Sequence, residues 1–318
     1  MSKKIRIAVD AMGGDQAPEN QVLGGIQAAK EMFDEIEVIL VGDENKIKEI
    51  LKSQKCSLEN LHIVNASEVI TMEDSPSDAF KVKPDSSLTV ALKLQIEGKA
   101  DALISAGNTG AVLSASTLML GRIKGVSRPS IGSFFPTDAG KTIVFDVGAT
   151  VDCRPNHLLE FAQMGSIYMN YIFNIKNPKI GLLSVGEEKS KGNDLTLETF
   201  KLLENSDLNF IGNVEGRDVL RGKAEVIVCD GFIGNIVLKF AESVLDVLKA
   251  KFKQYADKGI WNKIKVGLSY GTLKDVIKDF DYQEYGGVPL LTPGAAAFTY
   301  GSAKSLKCSW ILKFGVHA

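Results

Sequence analysis

The chain is poor in the side chains that most often carry catalysis. Its 318 residues include three histidines (His62, His157, His317) and four cysteines (Cys56, Cys153, Cys229, Cys308). No Cys-x-x-Cys occurs and no two cysteines are near neighbours, which excludes a zinc site of ordinary spacing. Gly-x-Gly is missing too, and with it the usual dinucleotide fingerprint. An excess of one charge is also lacking: 37 basic and 39 acidic residues leave a net charge of -2. A general polyanion binder is far more basic, so no nucleic-acid partner is expected. The longest uncharged stretch, Ala102–Gly121, is broken by Ser105, Gly107, Asn108, Thr109, Gly110, Ser114, Ser116 and Thr117. It predicts a buried strand, a turn and a packed helix rather than a membrane span. The opening Met-Ser-Lys-Lys-Ile-Arg-Ile lacks the apolar core and cleavage site of a signal peptide. Together with scattered cysteines, this predicts a cytoplasmic protein.

What remains is ordinary globular composition, 45% apolar and 24% charged, with ample material for a core. Strand-length apolar runs alternate with helical spacing. Strands are predicted over Ile5–Ala11, Glu37–Gly42, Leu61–Asn65, Ala102–Ser105, Ile131–Phe135, Thr142–Val147, Lys179–Val185, Leu208–Val214 and Glu225–Cys229. Helices are predicted over Glu19–Phe33, Asp43–Lys52 with Asp43 as N-cap, Ser86–Glu97, Thr109–Leu120, His157–Phe173, Leu195–Glu204 and Ile233–Tyr255, with more helix to Phe280. Glu68–Pro84 reads as loop or short helix. This alternation predicts an α/β fold, a mostly parallel sheet with helices on both faces. Runs such as Val38-Ile39-Leu40-Val41 suit strands buried on both sides. The expected organisation is one catalytic α/β unit over residues 1–291, open to division into two subdomains around a cleft, and an atypical tail over 292–318.

Two stock motifs fail. Gly140-Lys141-Thr142 imitates the end of a P-loop, but Phe135 stands where its first glycine belongs. Gly267-Leu268-Ser269-Tyr270-Gly271 matches a nucleophile elbow, yet only His317 follows it, so a chance match is the better reading.

Glycine-rich segments instead cluster at predicted strand ends: Asp10–Asp15, Ser105–Gly110, Gly186–Asn193, Gly212–Gly216 and Asp230–Asn235. Glycine lets backbone N–H groups approach a ligand, and a following helix start favours an anion. Each segment alone is equally a turn former; five in one chain favour a phosphate or phosphoryl site. Lys81, Lys83, Arg128, Arg154, Lys189 and Lys191 supply charge nearby. In Lys83-Pro84-Asp85-Ser86-Ser87, Asp85 or Ser86 caps the next helix, which reads either as an anion cradle or as a plain capping segment.

The segments DAMGGDQAP (Asp10–Pro18), SAGNTGA (Ser105–Ala111), FAQMG (Phe161–Gly165), KGND (Lys191–Asp194), NFIGNVEGRD (Asn209–Asp218) and CDGFIGNIVLK (Cys229–Lys239), in this order, resemble the bacterial phosphate acyltransferases of phospholipid synthesis. The resemblance runs from Ile7 to about Leu291. It implies conversion of acyl-[acyl carrier protein] and inorganic phosphate to acyl phosphate and free carrier protein. It also implies a fold similar to isocitrate dehydrogenases and phosphotransacetylases, a homodimer, no metal or nucleotide cofactor, and a functional link to a membrane glycerol-3-phosphate acyltransferase. The chain departs from the family pattern at Thr150 and Ser184, where asparagine is usual. It also departs in the tail, where the family's strand, Ala-His-Gly-Ser-Ser turn and last helix are not recognisable.

Direct attack of phosphate on a thioester requires no side-chain nucleophile; positioning and preorganised donors suffice. The expected catalytic residues are Asn108, Lys83, Asn193, Lys191 and Asp230, with Asn108 and Asn193 as oxyanion donors. Phosphate is expected at Lys81, Lys83, Ser86, Ser87, Gly107, Asn108, Thr109, Gly110 and Arg128. Asp10, Gly13, Gly14, Asp15, Asp146, Glu187, Asn213 and Asn235 are expected to line the strand-end pocket. Asp10 and Asp230 orient lysines or hold a proton, or else simply cap turns. Lys249–Lys265 carries six lysines and one acid with Phe252, Tyr255, Ile260 and Trp261. It reads as a contact for an acidic carrier protein or a membrane surface, or as a solvated helix face with a buried apolar stripe. Competing functions are an acyl-coenzyme A phosphotransferase, a decarboxylating dehydrogenase on the same fold, and a non-catalytic membrane-associated scaffold.

Overall fold

A computed structural model describes residues 3–138, 140–278, 288–290 and 296–298. Two compact units divide the chain, one taking in the residues up to Ile131 and the last two short strands, the other beginning at Gly132 and including the helices that follow.

In the first unit the predicted strands form as β1 (Ile5–Asp10), β2 (Ile36–Gly42), β3 (Leu61–Asn65) and β4 (Ala102–Ser105), each within a few residues of its predicted bounds. Helices α1 (Glu19–Glu31), α2 (Glu44–Ser53), α3 (Ala79–Val82), α4 (Ser87–Ile96) and α5 (Thr109–Met119) connect them. β1 pairs in parallel with β2, Val9 opposite Leu40, and with β4 on its other side, Val9 opposite Ile104. Leu40, Ile47, Val22 and Ile36 are fully buried beside them, as the continuous apolar runs require. Asp43 caps α2 as predicted, accepting from the Asn45 and Lys46 N–H groups. Ser86 rather than Asp85 caps α4.

The second unit opens on an antiparallel hairpin of β5 (Gly132–Thr137) and β6 (Gly140–Phe145). Then come α6 (Pro155–Phe173), β7 (Ile180–Leu183), α7 (Asp194–Glu204), β8 (Phe210–Val214), β9 (Val226–Val228), α8 (Gly231–Ala256) and α9 (Ile260–Lys278). β9 lies between β6 and β7, parallel to both, giving the order β5-β6-β9-β7-β8. The P-loop imitation falls on this hairpin. The elbow-like Gly267–Gly271 lies inside α9, not at the strand-to-helix turn that an elbow requires.

The chain then returns to the first sheet. β10 (Val288–Leu290) pairs antiparallel with β11 (Ala296–Phe298), and β11 runs parallel to β4, completing the order β10-β11-β4-β1-β2-β3. β11 is a strand in the tail where the sequence pattern predicted none. Its three residues, Ala-Ala-Phe, are too few to display a period. The rest of the tail expectation lies outside the described residues.

Of the two readings of the basic segment Lys249–Lys265, a docking contact or a solvated face with a buried apolar stripe, the structure does not bear out the buried stripe. In the single chain Phe252, Tyr255, Ile260 and Trp261 are 36–74% exposed. The stripe continues along α8 through Ile233, Ile236, Phe240, Val244 and Val247, all exposed and all on one helical face by spacing. Among the described residues no helix is long and apolar enough to cross a membrane.

Candidate active site

Most of the predicted residues gather at the carboxyl ends of parallel strands, one group in each unit. In the first sheet β1 has β2 and β3 on one side and β4 on the other. Such a switch point is where an open α/β sheet leaves a crevice for ligands.

Asp10 ends β1 there and is 3% exposed. Its Oδ1 accepts from Ser87 Oγ at 2.6 Å and from Met12 N at 3.3 Å; its Oδ2 accepts from Ser105 Oγ at 2.7 Å. Burial pushes the carboxyl pKa up, and the donors Ser87, Ser105, Met12 and Gly13 oppose it. Among the described residues no lysine is a hydrogen-bond partner of Asp10, so the expected lysine-orienting role is not seen there. Gly13 packs directly over it: a Cβ there would lie 2.5 Å from Asp10 Oδ2 and 2.9 Å from Gly107 N. Gln21 Nε2 donates to the Gly13 carbonyl at 2.6 Å and fixes the same turn.

Asn108 caps α5, its Oδ1 accepting from Ala111 N at 3.1 Å. Its Nδ2 faces three carbonyls, those of Thr71, Met72 and Asp74, at 3.3, 3.4 and 3.3 Å. Lys83 Nζ donates to the Val69 carbonyl at 2.9 Å and pairs with Asp74 at 2.5 Å. Asn108 and Lys83 thus strap residues 69–75 across the start of α5; the Asn108 amide is occupied by that strap, and two of the three Lys83 N–H donors are too. The Lys83 ammonium first, then the Thr71 N–H, hold Asp74 down to about 2. The cradle predicted at Ser86-Ser87 is filled by the protein itself. Asp85 N donates to Glu68 Oε2, Ser86 N to the Lys83 carbonyl and Ser87 N to the Glu68 carbonyl. The N–H groups of Thr109 and Gly110, the first two of α5, have no partner among the described residues, as expected at a helix start. Lys81 pairs with Asp78 on the surface, and Arg128 and Asp15 are exposed.

The second centre surrounds Asp146, which follows β6 and is fully buried. It accepts from Ala149 N at 3.1 Å and Thr150 N at 2.6 Å. The bond at Thr150 is made by the backbone N–H and does not depend on the side chain at that position. The start of α8 is pressed against this turn: a Cβ at Gly234 would lie 1.9 Å from the Asp146 carbonyl oxygen. Asp230 caps α8 through Ile233 N at 2.9 Å, and Asn235 lies beside Gly148. Burial first, then Asp230 and Asp146, pushes the Cys229 thiol well up, leaving it protonated and a poor nucleophile.

At the ends of β7 and β8, Asn213 Nδ2 donates to the Glu188 carbonyl at 2.9 Å and the Lys191 carbonyl at 3.5 Å. Ser184 Oγ, the other departure from the family, donates to the Lys191 carbonyl at 3.1 Å. The turn is therefore pinned from two strands, while the Lys191 side chain is exposed with no ion pair among the described residues. Neighbouring charges are paired: Glu187 with Lys223 at 2.8 Å, and Lys189 with Glu204. Asn193 caps α7 through Oδ1, and its Nδ2 has no partner among the described residues. No group of three or more metal-ligating side chains assembles among the described residues.

A family model described as fatty acid synthesis protein matches residues 5–306. The chain belongs to the fatty acid synthesis protein family. Phosphate acyltransferases of Dictyoglomus turgidum and Pelobacter propionicus are each 47% identical to it, over 304 and 306 residues, covering 95% of this chain and 90% and 88% of theirs. Among solved structures, a phosphotransacetylase from Streptococcus pyogenes has a TM-score of 0.58 at 19% identity, over 77% of this chain and 83% of that one. EutD phosphotransacetylase from Staphylococcus aureus has a TM-score of 0.55 at 17% identity, over 98% and 92%. At these identities they establish the fold, which is the one the resemblance implied.

Within this family framework, sequence reasoning passed over Ser105, Asp74 and Gln21 as site residues. Ser105 stood inside a quoted motif, but its partner Asp10 is 95 residues away. Asp74 carried no local signal beyond its charge. The strap has a measurable signature. Because the Asp74 pKa is lowered from 3.8, its contribution is in place above that value and is lost as pH falls toward about 2. Asp74→Asn is expected to speed amide hydrogen exchange across residues 69–75 at neutral pH several-fold. Unchanged exchange there would mean that the Lys83 pair does not hold the segment.

Proposed function

We propose that this chain is a phosphate acyltransferase taking its acyl group from acyl carrier protein, feeding glycerophospholipid synthesis in the cytoplasm. The observation that carries this reading, beside family membership, is the pair of unpartnered N–H groups of Thr109 and Gly110 at the switch point of the first sheet. Phosphate would be held there by hydrogen bonds from a helix start. In the step proposed, a phosphate oxygen attacks the thioester carbonyl carbon, a tetrahedral oxyanion forms, and the carbon–sulfur bond breaks. The carrier thiolate leaves and takes up the proton released by phosphate. In the second unit the exposed Lys191 ammonium and the Asn193 amide, without partners among the described residues, are candidate donors to anionic groups. Asn193 suits this role better than Asn108, whose amide is occupied. The buried Cys229 thiol has no part in the step.

The acidic carrier is assigned to the lysine-rich segment spanning the end of α8 and the start of α9. The apolar stripe of α8 is assigned to a second copy of the chain, since exposed contiguous apolar faces of this kind mark interaction sites. Peripheral membrane contact and coupling to a membrane glycerol-3-phosphate acyltransferase belong to the same reading.

The direct test incubates the full chain with an acyl carrier thioester, with and without inorganic phosphate, trapping acyl phosphate with hydroxylamine. Phosphate-dependent hydroxamate is expected; equal turnover of coenzyme A thioesters would favour a phosphotransacetylase instead. Thr109→Pro removes one of the two N–H groups at a position where helices tolerate proline, and Asn108, with ψ 107°, is outside the α region that a following proline disfavours. It is expected to raise the KM for phosphate about tenfold or more, and an unchanged KM would place phosphate elsewhere. Phe240→Asp is expected to convert dimer to monomer in light scattering; an unaltered mass would remove the stripe from the subunit contact.

A further inference from the structure

Asp10 is 3% exposed, and hydrogen bonds tie it to the start of α4, to its own turn and to Ser105 at the end of β4. Its two oxygens do different jobs. Oδ1 receives Ser87 from the start of α4 and the N–H of Met12 from its own turn. Oδ2 receives only the Ser105 hydroxyl among the described residues' side chains. The Ser105 oxygen in turn accepts from Gly107 N at 3.1 Å. A hydroxyl has one proton to give. Because Asp10 takes that proton, a Ser105 lone pair is left facing Gly107 N. The direction of the chain Gly107 N–H to Ser105 O–H to Asp10 is therefore set by the carboxylate.

Packing restricts the same turn from above. Gly13 leaves no space between Asp10 Oδ2 and Gly107 N, and a Cβ at Gly14 would lie 2.9 Å from the Ala106 carbonyl oxygen. The turn Ala106–Gly107 is thus held between the Gly13–Gly14 turn and the carboxylate. One residue later comes Asn108, the cap of α5, and then the free N–H groups of Thr109 and Gly110.

We infer that Asp10 is a positioning residue, acting through Ser105 to fix the Gly107 turn and thereby the aim of the α5 N–H groups at phosphate. This rests on the phosphate reading of α5. It assigns Asp10 neither a proton transfer nor a lysine partner. Charge-assisted hydrogen bonds are short and directional, and an anion site built from backbone donors depends on their preorganisation.

The test uses the full chain, inorganic phosphate and an acyl carrier thioester, with Ser105→Ala, Ser105→Thr, Asp10→Asn and Thr109→Pro compared by steady-state kinetics and thermal melting. Ser105→Ala removes one hydroxyl and leaves Asp10 its other donors, so it tests the relay even if Asp10→Asn folds poorly. The expected result for Ser105→Ala is a KM for phosphate raised about tenfold, with the KM for the thioester little changed and the phosphate-induced rise in melting temperature lost. Ser105→Thr, which restores the hydroxyl, is expected to recover most of the phosphate affinity. A folded Asp10→Asn is expected to reproduce the phosphate defect of Ser105→Ala. A normal phosphate KM in Ser105→Ala, while Thr109→Pro raises it, would overturn the relay and leave the phosphate site standing. A normal phosphate KM in Thr109→Pro would overturn the phosphate site itself, and the relay with it. Equal losses against both substrates in Ser105→Ala would reduce Asp10 to a purely structural role.

Discussion

The burial of two carboxylates at the ends of parallel strands constrains everything around them. An ionised carboxylate removed from water is costly unless donors meet its oxygens. Asp10 meets hydroxyls from two other segments and the N–H groups of its own turn. Asp146 meets the N–H groups of Ala149 and Thr150. Each arrangement demands a tight turn after the strand and a close approach of the next backbone. This is why glycines stand at 13, 107, 231 and 234, where a Cβ would press on a carboxylate or the turn it organises. The glycine-rich motifs are in this sense consequences of the aspartates.

The same economy applies to the donors. Asparagine and serine side chains at strand ends are largely consumed in holding turns: Asn108 on the 69–75 strap, Asn213 and Ser184 on the 186–193 turn, Ser86 on the start of α4. Among the described residues the candidates left without partners are the first N–H groups of α5 in the first unit and the Asn193 amide and Lys191 ammonium in the second. Burial and the neighbouring carboxylates keep the Cys229 thiol protonated.

Much of this was legible before the fold was known. Strand and helix placement followed from apolar runs and capping residues, because Val38–Val41 or Asp43 act within their own neighbourhood. The aspartates and glycines stood out for the same reason. The roles of Asn108 and Lys83 did not. Their chemistry as donors is written in their side chains, but the carbonyls of 71–74 and the Asp74 carboxylate that occupy them are set by how an irregular segment lies on α5. Ser105 was overlooked because a serine in a turn is ordinary until a carboxylate 95 residues distant is found against it. For Lys249–Lys265 spacing allows a buried stripe as readily as a docking face, because it reports a face and not what covers it, and Phe252 and Trp261 are in fact exposed.

In the proposed reaction phosphate attacks the thioester directly, with the protein supplying held donors and no nucleophile. Intact-protein mass spectrometry of the chain incubated with an acyl carrier thioester in the absence of phosphate tests it. An unmodified protein mass is expected, with no release of carrier until phosphate is added. A mass increase of one acyl group, formed without phosphate and discharged by it, would contradict it and require a covalent acyl-enzyme.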